Sequence, residues 1–102
     1  MELNEYQQQA AGTAVCQDQK NVDGLTYAVL ALCGESGELA NKLKKHLRAG
    51  TAVDVEVLAD ELGDVLWYVS AVAKELGYTL ELVANENLQK LAARQAAKRI
   101  TG

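Results

Sequence analysis

Residues 58–69 read LADELGDVLWYV, an apolar helical run into which three carboxylates are set. Because an α-helix turns about 100° per residue, Glu61 and Asp64 lie about 60° apart on one face, and Asp60 lies one turn before Asp64. Burying an unpaired carboxylate costs on the order of several kcal/mol, so a carboxylate in an apolar helix usually has a cation as its partner. The stretch therefore predicts a helix that is covered by other chain segments and that presents acids to a positively charged ligand.

A second acidic pair has the same spacing upstream. Residues 32–39 read LCGESGEL, and Glu35 and Glu38 share one face of their predicted helix. Two such pairs predict that four carboxylates on two helices face one another and hold magnesium for a phosphate-bearing substrate. Solvated surface charges and an i, i+4 ion pair between Glu38 and Lys42 are the alternatives, but neither explains why the remaining acids abut apolar runs.

The composition predicts an all-α fold. The 102 residues contain no Pro and are dominated by Ala, Leu, Val, Glu, Gln and Lys, which favour helix. We expect a single domain over residues 1–102, built like a four-helix bundle with short loops. Helices are predicted over about residues 3–19, 25–47, 54–76 and 79–99, with a turn at residues 20–24. The predicted N-caps are Asn4 or its neighbours, Asp54 and Thr79, and the predicted helix stops are Gly50 and Gly77.

The third predicted helix is apolar nearly all round between residues 62 and 73, with Gly63, Asp64 and Ser70 as the exceptions. A helix of this kind has to be covered on every side, which four short helices in one chain do not easily achieve. The hydrophobic fraction of 49% is also high for so small a monomer. We therefore predict a homo-oligomer, either a homodimer or a dimer of dimers (homotetramer), and the alternative is the central helix of a monomer.

Net charge and chain features limit the partners and the compartment. A net charge of −4 and a pI of about 4.9 argue against binding nucleic acid through phosphate neutralisation. No apolar run approaches the roughly 20 residues of a membrane span, and the N-terminus lacks the pattern of a signal peptide. Cys16 and Cys33 are expected to be free thiols, so a cytoplasmic protein without membrane or nucleic-acid partners is predicted.

The ligand types select the cation and the phosphate-binding groups. Oxygen-only ligands favour magnesium, with manganese as a substitute, whereas iron would need Glu-x-x-His pairs and the chain has only His46. No P-loop is present, so phosphates would be bound by metal and basic side chains. The candidates are Asn87, Lys90, Arg94 and Lys98, which share one helix face, with Lys42 and Lys45, and for Lys98 a solvated charge is preferred.

Two further sets of residues have both a structural and a functional interpretation. Gly34, Gly37 and Gly63 lie in predicted helices, where each costs about 1 kcal/mol relative to Ala. They indicate close helix packing, room for metal and phosphate, or both. Trp67, Tyr68 and Tyr27 are candidates for stacking on a nucleotide base, with core packing as the more common role of such aromatics.

The two acidic motifs resemble a known signature. Glu35-Ser36-Gly37-Glu38, followed by Asp60-Glu61-Leu62-Gly63-Asp64, resembles the E-x-x-E…E-x-x-D signature of MazG-like nucleotide pyrophosphohydrolases, which belong to the all-α NTP pyrophosphatase superfamily. Residues 87–94, NLQKLAAR, are similar to the N-x-x-K-x-x-x-R tail of these domains. The resemblance covers about residues 25–95. It implies magnesium-dependent hydrolysis of (d)NTP to (d)NMP and pyrophosphate, and with it a role in house-cleaning of the nucleotide pool.

The resemblance also implies roles for individual residues. It makes Glu35, Glu38, Glu61 and Asp64 metal ligands and catalytic residues, with Asp60 as an accessory acid, and it matches Lys90 and Arg94 to phosphate-binding positions. Which carboxylate activates water stays open, with Glu38 preferred. The alternatives are a superfamily member specialised for dUTP, dCTP or phosphoribosyl-ATP, a non-enzymatic helical interaction module, or a toxin–antitoxin or stress-regulatory adaptor.

Overall fold

The computed structural model describes residues 1–14 and 23–101. In this part of the chain it contains four α-helices and no strand: α1 (Leu3–Gly12), α2 (Gly24–Ala49), α3 (Val55–Glu75) and α4 (Leu80–Thr101). The predicted all-α class is therefore confirmed. Cys16, the predicted end of the first helix near residue 19 and the predicted turn at residues 20–22 lie outside the described residues.

The predicted boundaries of α3 and the predicted end of α2 are confirmed by the backbone. The Asp54 carboxylate accepts a hydrogen bond from the Val57 amide and caps α3. Gly50 and Gly77 both have positive φ, 68° and 77°, directly after helices. This is the left-handed conformation that glycine adopts without a Cβ penalty, so both residues end their helices as the sequence predicts.

The boundaries around α1 and the start of α2 differ from the prediction. The Asp23 carboxylate accepts a hydrogen bond from the Thr26 amide at 2.7 Å, so α2 begins at Gly24 instead of turning there. That hydrogen bond also lowers the pKa of Asp23. The first helix ends at Gly12, because the hydroxyl of Thr13 donates to the Ala10 carbonyl and its amide closes a final tight turn.

Asn4 was predicted to cap α1, but it does not. It joins α1 to α4 instead. Its Oδ1 accepts from the Glu81 amide at 3.1 Å, and its Nδ2 donates to the Glu81 carboxylate at 3.2 Å. Gln7 adds a parallel pair of bonds, donating to the Tyr78 carbonyl and accepting from the Leu80 amide. Side chains of α1 thus satisfy the free amides at the start of α4, which is why these two helices stay together.

The framework for the site is an antiparallel pair of helices, α2 and α3. Gly24 at the start of α2 lies against Glu75 at the end of α3, and Lys42 lies against Glu61. The first helix packs on α3 and α4, whereas α2 and α4 make no helix–helix contact within the described residues. The four helices therefore do not close into a complete bundle within one chain.

The buried core of the described residues is small. Its hydrophobic members are Ala10, Ala28, Ala73 and Leu80, and many large apolar side chains are exposed. The prediction that α3 needs cover is thus only partly met within one chain, since Leu62 and Leu66 are 57% and 40% exposed. None of the described helices combines the length and the apolar character that crossing a membrane requires.

Candidate metal centre

Three of the four predicted acidic ligands meet between α2 and α3. Glu35 of α2 and Glu61 and Asp64 of α3 each offer a carboxylate oxygen, and these oxygens lie within 4.8 Å of one another. Glu61 is only 7% exposed, Glu35 is half-buried and Asp64 is exposed. The i, i+3 spacing on α3 and the antiparallel register of the helices produce this convergence. We call Glu35, Glu61 and Asp64 the acid cluster.

Glu61 uses one carboxylate oxygen and leaves the other unpaired. Lys42 Nζ donates to Glu61 Oε1 at 2.6 Å, so the lysine forms its ion pair across the two helices rather than with Glu38 one turn away. Glu61 Oε2 is buried and has no hydrogen-bond partner. An unsatisfied buried acceptor costs about 1–3 kcal/mol, and more when it is charged. A divalent cation held by the acid cluster would satisfy this oxygen, so the donor set fits a hard metal ion.

The pKa shifts show that further acids surround the acid cluster. Partial burial, followed by the charges of Asp64, Glu61 and Glu38, raises the pKa of Glu35. The hydrogen bond to Glu61 raises the pKa of Lys42, with smaller contributions from Asp60 and Glu38, while partial burial opposes them. Glu38 and Asp60 are exposed and lie outside the group of three, yet close enough for their charge to act on it.

A cavity with aromatic side chains begins at Tyr68, one helical turn along α3 from Asp64. It lies between α1, α2 and α3, and its lining includes Tyr27, Trp67 and Tyr68 together with Ala10 and Ser70. The Trp67 indole donates to Thr13 Oγ1 at 2.9 Å, and its ring meets the Tyr68 ring edge-on with centroids 4.9 Å apart. The structure therefore places all three aromatic candidates around one space.

Two tyrosines connect this cavity to the acids electrostatically. Burial, the neighbouring Tyr27 and the charges of Glu35 and Asp64 raise the pKa of Tyr68. Burial and the charge of Asp64 raise the pKa of Tyr6 on α1. Tyr6 is not predictable from the sequence, because no spacing within a helix reveals which side chain of another helix comes close to Asp64.

The structure does not join the predicted phosphate-binding residues to the acid cluster, and it leaves the three helical glycines without close neighbours. Asn87, Lys90 and Arg94 are exposed on α4, and within the described residues no hydrogen bond or ion pair joins them to the acid cluster. The close packing predicted for Gly34, Gly37 and Gly63 is wrong within one chain. A Cβ added at any of these three positions would meet nothing within 4 Å, so these helix surfaces are open.

The fold and the acid cluster together define a class: an all-α protein whose paired acidic helices could hold a divalent metal ion. The chain belongs to the MazG family, since residues 24–97 match the MazG nucleotide pyrophosphohydrolase domain. It is also 40% identical over 102 residues to the Gene 37 protein of Mycobacterium phage L5, covering 93% of this chain and 90% of that protein. No solved structure matches the chain. The family match includes all of the acid cluster and confirms the resemblance seen in the sequence.

The raised pKa of Glu35 predicts how the metal-free protein responds to pH. The folded protein holds this proton more tightly than the unfolded chain, whose carboxyl has a pKa near 4.5. Glu35 therefore stabilises the fold at low pH, and this contribution is lost as the pH rises through the raised value. With a chelator present, we expect Glu35→Gln to melt at a higher temperature than wild type at neutral pH.

The difference between the two proteins should shrink as the pH falls toward 4.5, because wild-type Glu35 then becomes neutral as well. Thermal unfolding by circular dichroism over a pH series measures it. Glu56→Gln removes an exposed charge from the first turn of α3, where a negative charge favours the helix, so as the control it should not raise the melting temperature at neutral pH. A constant difference between wild type and Glu35→Gln across the series would contradict the assignment.

Proposed function

We propose that the protein is a magnesium-dependent nucleoside triphosphate pyrophosphohydrolase that converts (d)NTP to (d)NMP and pyrophosphate, with house-cleaning of the nucleotide pool as its role. The observation that carries the proposal is the acid cluster with its buried, unpaired Glu61 oxygen, located in the segment that matches a pyrophosphohydrolase family. Apolar residues at these three positions would hold α2 and α3 together at least as well as carboxylates do. The converging carboxylates therefore point to a function other than stability.

Glu35, Glu61 and Asp64 would hold the cation, with Glu38 as a fourth ligand and Asp60 as an accessory acid. Magnesium is the proposed ion, and manganese the substitute, because every donor is an oxygen. When bound, such an ion neutralises phosphate charge and makes a nearby water more acidic.

The remaining chemistry is assigned to residues of the chain. A carboxylate, preferably Glu38, orients the attacking water and accepts its proton. Water oxygen bonds to the α-phosphorus, the bond from that phosphorus to the bridging oxygen breaks, and pyrophosphate leaves. Lys42 holds Oε1 of Glu61, so Oε2 would be the oxygen available to a cation, which gives the lysine a positioning role. The resemblance to the family's tail assigns Lys90 and Arg94 to the β- and γ-phosphates, with Asn87 on the same face of α4.

The aromatic cavity is the proposed site for the nucleotide base. Tyr27, Trp67 and Tyr68 offer ring faces and edges in a cavity whose Tyr68 lies within the electrostatic influence of Glu35 and Asp64, so a base bound there would direct its phosphates toward the carboxylates. The indole N–H already bonds to Thr13, which fixes the Trp67 ring in place. A fixed aromatic wall costs little conformational entropy when a base binds.

A substrate panel tests the proposal. The protein is incubated with canonical and modified dNTPs and NTPs, with and without magnesium, and pyrophosphate and orthophosphate are measured separately. We expect pyrophosphate with the monophosphate, only when the metal is present, and a preference for deoxynucleotides. Preferences for dUTP, dCTP or phosphoribosyl-ATP identify the specialised alternatives. If orthophosphate is the first product, the assignment of the bond that is broken is wrong. If no substrate is hydrolysed, the proposed enzyme activity is wrong.

A further inference from the structure

The aromatic cavity continues past Tyr68 to a polar end that the proposed chemistry does not use. Glu75, Lys74 and Gly24 complete its lining there. Glu75 follows Tyr68 by seven residues of α3, which is two helical turns or about 10.5 Å. The acid cluster, the aromatic side chains and Glu75 therefore follow one another along α3. A nucleotide with its phosphates at the acid cluster and its base among the aromatics would direct the far edge of the base toward Glu75.

The Glu75 carboxylate lies directly against Gly24 at the start of α2. A Cβ added to Gly24 would lie 2.6 Å from Glu75 Oε1 and 2.8 Å from Oε2, so any side chain there would displace the carboxylate. Gly24 does not have the positive φ that would by itself require glycine. The missing side chain of Gly24 therefore has a specific consequence, since it lets the Glu75 carboxylate occupy the end of the cavity.

Glu75 is available to a ligand. Within the described residues it forms no hydrogen bond or ion pair, although Lys74 is its neighbour in the chain. A carboxylate accepts hydrogen bonds and cannot donate them, so it attracts N–H groups of a base and repels carbonyl oxygens. A negative charge near the start of α2 also complements the helix dipole, which favours an acid there even without a ligand.

Ser70 gives independent evidence that the cavity receives a polar ligand. It is 3% exposed and lines the cavity, and its hydroxyl has no hydrogen-bond partner within residues 1–14 and 23–101. Ser36, in the middle of α2, donates instead to the Leu32 carbonyl one turn back. The large majority of buried polar side-chain atoms in proteins have a hydrogen-bond partner. A base in the cavity would supply the partner that Ser70 lacks.

Nucleotide bases differ in what they present to a carboxylate. Cytosine, adenine and guanine carry an exocyclic amino group, whereas uracil and thymine have none and present a carbonyl oxygen where cytosine presents its amino group. We propose that the cavity selects nucleotides whose base carries an amino group, with Glu75 accepting from that group and Ser70 bonding to the same base. Uracil and thymine nucleotides are rejected. This inference rests on the proposed function, because it takes the cavity as the site of the base.

The fluorescence of Trp67 can measure base binding without hydrolysis. Trp67 is the only tryptophan in the sequence and lines the cavity, so a base that enters should change its emission. The probes are dCMP and dUMP, with magnesium present, which differ in having an amino group or a carbonyl at the same position of the base. Wild type should bind dCMP at least about tenfold more tightly than dUMP, as expected for one hydrogen bond to a charged group.

Three variants test the role of the carboxylate. Glu75→Gln should bring the two dissociation constants within about threefold of each other, because an amide can donate to a carbonyl as well as accept from an amino group. Gly24→Ala should also reduce the ratio, since the added methyl group displaces the carboxylate but keeps its charge. Glu56→Gln removes the same charge from the other end of α3 and should keep the wild-type ratio.

Ser70→Ala separates a ligand-binding role from a structural one. It should weaken both monophosphates by about fivefold, because each loses one neutral hydrogen bond. Its melting temperature without nucleotide should not fall, since the hydroxyl has no partner within the described residues to lose. A fall in melting temperature with unchanged nucleotide binding would contradict the assignment of Ser70.

Equal affinity of wild type for dCMP and dUMP, or a Glu75→Gln variant that keeps the wild-type ratio, overturns the proposal. So does a failure of dCMP to bind. Selective binding of dCMP without hydrolysis of any triphosphate would support the selectivity and overturn the hydrolase. Hydrolysis of dCTP and dUTP with equal kcat/KM would support the hydrolase and overturn the selectivity.

Discussion

Asp64→Asn is expected to lower magnesium-dependent pyrophosphate release by about a thousandfold or more. Asp64 is the exposed member of the acid cluster, so its oxygen is the one most accessible to an arriving metal–triphosphate. The amide keeps the shape but removes the charge, and several kcal/mol of lost charge stabilisation corresponds to about a factor of ten for each 1.4 kcal/mol. Asp64 forms no structural ion pair in the described residues, so helicity and assembly should be unchanged.

Two measurements separate this loss from a loss of structure. Circular dichroism and light scattering should match wild type, whereas the rise in melting temperature on adding magnesium should largely disappear, because the metal binds more weakly. Glu56→Gln removes the same charge from the same helix outside the acid cluster and should keep full turnover. Turnover by Asp64→Asn within about tenfold of wild type would exclude this carboxylate from the mechanism.

The sequence predicts both ends of α3 and the end of α2, each of which a single local feature determines. Asp54 caps α3 through the amide three residues on, and Gly50 and Gly77 need no partner to adopt positive φ. The role of Asn4 is not local in this sense. Asn4 bonds to Glu81, which is 77 residues away, and no pattern within α1 encodes that distance.

The same distinction holds at the acid cluster. The i, i+3 spacing within α2 and within α3 predicts that Glu35, Glu38, Glu61 and Asp64 face one another. The structure brings three of them together and leaves Glu38 exposed outside the acid cluster. The partner of Lys42 depends on the register between the helices, which spacing within one helix does not determine. The spacing within α2 offers Glu38, one turn away, as the ion-pair partner of Lys42, whereas the structure pairs Lys42 with Glu61.

The function of Lys42 can be decided by a metal-dependent stability measurement. In the absence of metal, its ammonium is the cation that compensates buried Glu61. Lys42→Met keeps much of the side-chain length but leaves Glu61 unpaired beside Glu35 and Asp64, and leaving a buried charge unpaired is strongly destabilising. With a chelator present, the melting temperature should fall by about 5 °C or more. Magnesium should restore most of the loss, since it supplies the missing positive charge to the same carboxylates.

The comparison distinguishes a positioning residue from a substrate-binding one. If Lys42 serves Glu61, Lys42→Met changes the dependence of melting temperature on magnesium and leaves the KM for the triphosphate near the wild-type value. If it binds phosphate instead, KM rises and the metal-free stability is unaltered. Lys42→Arg should retain the ion pair, and Lys44→Met, at an exposed position on the same helix, should alter neither quantity. The sign of the magnesium effect is decisive, because only a group compensating the acid cluster can be replaced by the metal itself.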